Sequence, residues 1–114
     1  MPLPDIQRKQ VEEMVGKFCE ERIPPQFRNE IKVSYKIREH SVSIFENRAS
    51  LTHEGEWVEI PVAQIRYDAQ DSTWTLYCTD RNGRWHEYTD LGSERQFSRL
   101  LLEIREDPTG IFWG

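Results

Sequence analysis

A thiolate beside an imidazole makes a nucleophile, and clusters of either hold metals, so Cys19, Cys78, His40, His53 and His86 are the first residues to weigh. Cys78 and His86 flank Arg81-Asn82-Gly83-Arg84, the strongest turn signal in the chain. Asn-Gly supplies both positive-φ residues of a two-residue type I′ hairpin. Such a turn sets Arg81 opposite Arg84, Thr79 opposite His86, Cys78 opposite Glu87 and Tyr77 opposite Tyr88. Opposed residues share a face and neighbours alternate, which puts Cys78 and His86 on opposite faces. Cys19 falls on the apolar stripe of a helix, so both thiols are expected to be small buried hydrophobes. No HxxxH, HxxEH or CxxC spacing occurs, and Glu12-Glu13 and Glu20-Glu21 belong to the wet face of that helix. GxGxxG and GxxxxGK[ST] are both absent. No catalytic residue, metal site or cofactor is assigned.

The same register gives one core-like face of Trp74, Leu76, Cys78 and Trp85 and another of Thr75, Tyr77, Thr79, Arg84, His86 and Tyr88. Tyr77, Arg84, His86 and Tyr88 would form a shallow recognition surface for a peptide, a small anion or a base. The same composition also suits a plain solvent face of an antiparallel sheet. A second surface is the basic stripe Lys32, Lys36 and Arg38, with Arg48 nearby and Phe45 beside it. Cations interleaved with aromatics hold single-stranded nucleic acid. Glu39, Glu46 and the net charge of −5 oppose that use, and no nucleic-acid partner is expected.

These side chains need elements to hold them. An amphipathic helix runs from about Asp5, a plausible N-cap, to Glu21, its stripe made of Val11, Met14, Val15 and Phe18. Gly16 weakens it, as though something packs closely there, and Pro24-Pro25 ends it. Ile31, Val33, Tyr35 and Ile37 then alternate with polar residues, turn at Glu39-His40 and meet Val42, Ile44 and Phe45. A two-residue loop there keeps Ile37 facing Val42 and Tyr35 facing Ile44. Trp57–Tyr67 is a third strand, in which Pro61 marks an edge, a bulge or the strand start. Thr73–Thr79 and Arg84–Thr89 follow. A second helix is expected from near Ser93, with Gln96 completing a capping box and Phe97, Leu100, Leu101 and Ile104 facing inward until Asp107-Pro108. The apolar tail Ile111-Phe112-Trp113 is expected to dock on the core. The order is that of an α+β fold, one domain over residues 1–114: N-terminal helix, five-stranded antiparallel β-meander, C-terminal helix, both helices on one face of the sheet.

At 114 residues, with four Trp, four Tyr and five Phe, the chain can bury a core without disulfides. Fifteen basic against twenty acidic residues argue against a polybasic membrane binder, and no apolar run is long enough to span a bilayer. Two cysteines in a chain of a size that needs no bridge, and the absence of an N-terminal apolar segment, point to a cytoplasmic setting. The acidic excess is greatest in residues 68–92, with two basic and five acidic side chains, which favours a cationic or protein partner there.

Several tracts occur in a telling order. The double Pro after the first helix is followed by Tyr35-Lys-Ile-Arg and Val42-Ser-Ile-Phe-Glu46, then Pro61-Val-Ala and Ile65-Arg-Tyr67. Trp74-Thr-Leu-Tyr77, Arg84-Trp-His-Glu-Tyr88 and the terminal Asp107-Pro with Phe112-Trp-Gly114 complete the series. Together they resemble the small bacterial proteins catalogued as domain of unknown function 3024. Cys78 stands where that resemblance leads one to expect a bulky aromatic. The resemblance implies the fold and a bacterial cytosolic origin, and it carries over no site residue.

The leading functional expectation is a cytosolic, non-enzymatic accessory or protein-interaction domain with an unidentified protein partner, and a sheet edge could pair two copies into a homodimer. One alternative is a small-ligand binder or enzyme using the Tyr77, Arg84, His86 and Tyr88 face, although the residues lean away from an enzyme. Another is an acidic immunity- or antitoxin-like partner of a basic protein. Neither nucleic acid nor membrane is an expected partner.

Overall fold

The computed structural model describes residues 2–113. Helix α1 (Asp5–Arg22) buries Val11, Val15, Phe18 and Cys19. Its N-cap is Pro4, without a side-chain cap, so Asp5 is the first helical residue rather than the cap. The carboxylate still sits favourably against the positive end of the helix dipole. The Pro24-Pro25 stop holds: Pro25–Phe27 form one tight 3-10 turn.

Six antiparallel strands follow among the described residues: β1 (Ile31–Arg38), β2 (Ser41–Ala49), β3 (Trp57–Asp68), β4 (Thr73–Thr79), β5 (Trp85–Glu87) and β6 (Ser93–Glu94). The sheet runs in the order β1-β2-β3-β4-β5 as the expected meander, with β6 as an added sixth strand on β4. The two-residue loop between β1 and β2 is found as read: Ile37 faces Val42 and Tyr35 faces Ile44. Only Glu39 takes a positive φ in it, and Leu3 N–H holds its carbonyl at 3.1 Å. The ladder between β2 and β3 slips between Ile44 and Phe45, where Ala63 and Pro61 are the partners and Val62 is extra. Pro61 therefore belongs to a bulge, the place a strand tolerates a residue without N–H.

Helix α2 (Phe97–Glu106) starts later than its sequence suggests. Ser93 is in β6, its hydroxyl 3.1 Å from Thr75 Oγ1, and Gln96 is an N-cap without a side-chain bond. The capping box is therefore replaced by sheet pairing. The helix ends at Asp107 in the left-handed region. The Asp107 carboxylate accepts from the amides of Phe112 and Trp113, and Trp113 Nε1–H donates to the Ile104 carbonyl, so the tail docks as expected.

The core lies between the sheet and the two helices: Val11, Val15, Val42, Ile44, Ile65, Leu76, Leu100 and Ile104 are almost wholly buried. Trp74 packs between Tyr67, 4.6 Å away, and Phe97, 4.9 Å away. Burial of such a ring contributes on the order of 2–3 kcal/mol, with about 1 kcal/mol more from each aromatic pair. No described helix is long and apolar enough to cross a membrane.

Candidate functional site

The turn that carries the predicted recognition quartet is not the two-residue hairpin its Asn-Gly suggests. Thr79 faces Trp85, Cys78 faces His86 and Tyr77 faces Glu87. Arg81-Asn82-Gly83 form a three-residue loop: Gly83 N–H bonds the Asp80 carbonyl, Asp80 N–H bonds the Arg84 carbonyl, and Gly83 alone takes a positive φ of 76°. Asp80 selects this loop, because its Oδ1 accepts from the amides of both Asn82 and Arg84. A slip of one residue reverses every side chain of the returning strand.

Tyr77 consequently stands on the opposite face of the sheet from His86 and Tyr88, and the four residues do not form one surface. Tyr88 is buried against α2 and the C-terminal tail, its ring 5.1 Å from that of Phe112 and its hydroxyl donating to Glu103 Oε2 at 2.7 Å. Burial first, then the Glu103 carboxylate, pushes the Tyr88 pKa up. His86 Nε2–H donates to Asp80 Oδ2 at 2.6 Å. Arg84 is exposed in the turn. Trp85, expected in the core, points to the helix-free side and is only half-buried.

Cys78 and His86 are thus cross-strand partners on one face, against expectation. Burial raises the Cys78 thiol, the reverse of what a nucleophile needs. Cys19 is pushed up to about 12 by the same cause, and both thiols are buried and free as expected. Among the described residues, no three His, Cys, Asp or Glu side chains are placed to hold a metal ion.

The helix-free face is where charge and aromatics meet. The pairings place Arg38, Ser41, Arg66, Thr75 and Ser93 in a single row across five strands, without a carboxylate in it. The next row is Lys36, Ser43, Gln64, Tyr77 and Glu87. Arg66 is held on two sides: its guanidinium lies 3.9 Å from the Tyr77 ring centroid, and its Nε–H donates to Gln64 Oε1 at 2.7 Å. Gln64 in turn donates to Ser43 Oγ at 2.9 Å. Both Nη groups of Arg66 are left without an acceptor among the described residues. Lys32 lies 3.9 Å from the Trp57 ring centroid, and Lys36 lies 5.0 Å from Phe45 while bridging Glu59 at 3.1 Å.

The model of the family described as a domain of unknown function, DUF3024, matches residues 3–114. The chain belongs to that family. No curated protein and no solved structure matches it at a significant level.

In this member of DUF3024, sequence reasoning found Lys32, Lys36, Arg38 and Phe45 on the basic surface but missed Arg66, Trp57 and the hydroxyl row. Alternation along β3 could have found them, had the bulge at Val62-Ala63 been known. Arg48, expected near the stripe, faces the helix side opposite Ile31 and pairs with Glu46 at 3.0 Å. Glu46, counted against the basic stripe, is therefore on the other face. Most of the acidic excess of residues 68–92 lies in turns: Asp68 Oδ1 accepts from the Gln70 amide, and Asp80 builds its hairpin. Asp68 and Asp80 thus shape loops.

Proposed function

We propose that the chain is a non-enzymatic protein-interaction domain whose helix-free sheet face recognises carboxylates of an acidic partner segment. The single observation that carries this reading is Arg66, stacked on Tyr77 and tied at Nε to Gln64, with both Nη groups free of an acceptor among the described residues. A guanidinium fixed in this way loses little rotamer freedom on binding and offers a planar fork that fits a carboxylate. Arg38, two strand spacings away at about 10 Å, supplies a second cation in the same row. The hydroxyls of Ser41, Thr75 and Ser93 offer further hydrogen bonds between and beyond them.

The aromatics speak for protein rather than single-stranded nucleic acid. Base stacking needs free ring faces, and Trp57, Phe45 and Tyr77 each already hold a cation of this chain against one face. A bacterial cytoplasm suits the two buried free thiols and is the setting the family resemblance implies.

Fluorescence anisotropy with a labelled decaglutamate peptide, at physiological salt, tests the reading. Decaglutamate is expected to bind the parent chain and to lose roughly tenfold or more in affinity in the Arg38→Gln, Arg66→Gln double variant. Labelled oligothymidylate is expected to remain free. Absence of decaglutamate binding, or indifference to the double variant, would overturn the proposal. Equal binding of oligothymidylate would replace it with a nucleic-acid function.

A further inference from the structure

Strand β1 is one lip of the sheet and, among the described residues, pairs only with β2. Its hydrogen-bond parity follows from two bonds at its ends: Ala49 N–H donates to the Glu30 carbonyl, and Leu3 N–H donates to the Glu39 carbonyl on the outer side. By alternation, Val33, Tyr35 and Ile37 turn their N–H and C=O groups outward. Lys32, Ser34, Lys36 and Arg38 bond inward to β2 and present their side chains on the helix-free face. Beside this lip, on the helix side, lies a largely apolar cleft of about 480 Å³, lined by Gly16, Cys19, Ile23, Val33 and Tyr35 among others. An edge, a cationic flank and an apolar cleft therefore run side by side along one strand.

We propose that an extended segment of the partner adds to the sheet as an antiparallel strand along β1, with acidic residues at alternate positions and apolar residues between them. Its backbone would pair with Val33, Tyr35 and Ile37. Its acidic side chains would lie over Lys32 and Arg38, flanking Lys36, which Glu59 of this chain already holds, and its apolar ones would enter the cleft. The occupant is fixed by charge complementarity. A second copy of this chain fits badly, because antiparallel self-pairing centred on Tyr35 sets Lys32 against Arg38, and centred on Ser34 sets Lys32 against Lys36. Like charges directly opposed are destabilising. The inference rests on the acidic-partner reading and names the form the partner takes.

The test compares decaglutamate with a decapeptide of alternating Glu and Val, reading both anisotropy and amide hydrogen exchange. The alternating peptide is expected to bind roughly tenfold more tightly than decaglutamate. It is also expected to slow exchange at the amides of Val33, Tyr35 and Ile37. Gly16→Leu, whose Cβ would touch Tyr35 Cε1 at 3.9 Å and whose branch would occupy the cleft, is expected to remove the gain of the alternating peptide while leaving decaglutamate binding intact. Decaglutamate binding that depends on Arg66, without added affinity or edge protection by the alternating peptide, sinks the strand-addition inference and leaves the broader reading standing. If neither peptide binds, both fall. Slowed exchange at β5 or β3 instead of β1 would also overturn it, as would a concentration-dependent protection of the β1 amides without peptide, which would assign the edge to a second copy.

Discussion

Asp80 accepts hydrogen bonds from the Asn82 and Arg84 amides and from His86, and these partners hold its carboxyl below the usual range, the Arg84 amide foremost. A depressed carboxylate is protonated more readily in the unfolded chain than in the folded one, so stability rises with pH between the two values. The contribution is complete above the ordinary Asp pKa of about 4 and is lost as pH falls through the folded-state value. In urea denaturation, Asp80→Asn is therefore expected to be less stable than the parent at neutral pH, with the difference closing as pH falls below about 4. A difference that does not change with pH would count against Asp80 as the fixed charge of this hairpin. The same residue explains why the turn misled. Asn82-Gly83 announces a turn, but the choice between two and three loop residues lies with the carboxylate before it, and local composition does not reveal that. Tyr88 was unreadable for another reason. Its partner Glu103 lies on a helix fifteen positions later, and only the folded packing brings them together.

Strand existence and pairing were largely written in the sequence wherever one face is apolar. The alternation in β1 and β2 fixed their register, because any slip would have exposed Val42 and Ile44, which are fully buried. The start of α2 was not readable, since Ser93 serves a strand and a cap equally well and the choice was made by Thr75 across the sheet. Gly16 in α1 gives a different lesson. A Cβ built there meets Tyr35 Cε1 at 3.9 Å, an ordinary contact, so close packing does not require glycine. Gly16→Ala is expected to stabilise the chain by about 0.5–1 kcal/mol through helix propensity, measured as a higher urea midpoint with unchanged slope. A loss of stability would show that the Tyr35 ring has no freedom to accommodate even a methyl group.

The molecule measures 46 × 29 × 23 Å and exposes 7727 Å², more than the roughly 6,600 Å² expected for its mass. Part of the excess lies in the far half of β3, whose pairing with β4 begins only at Ala63. Trp57, Val58 and Ile60 stay 37%, 52% and 39% exposed there. A long apolar edge of this kind invites association, and Pro61 blunts it by offering no N–H. Pro61→Thr is expected to raise the apparent mass in light scattering with increasing concentration relative to the parent chain. An unchanged mass would show that the edge is guarded by something else. The extra residue at Val62-Ala63 has a consequence for how this chain can vary. On the far side of the bulge odd-numbered residues of β3 face the helix-free side, and on the near side even-numbered ones do, so the strand carries two reading frames joined at one point. Deleting a single residue there would turn one half inside out, sending Arg66 toward the core or Trp57 toward the helices. Substitution along β3 can therefore be gradual, but a change of length at the joint cannot.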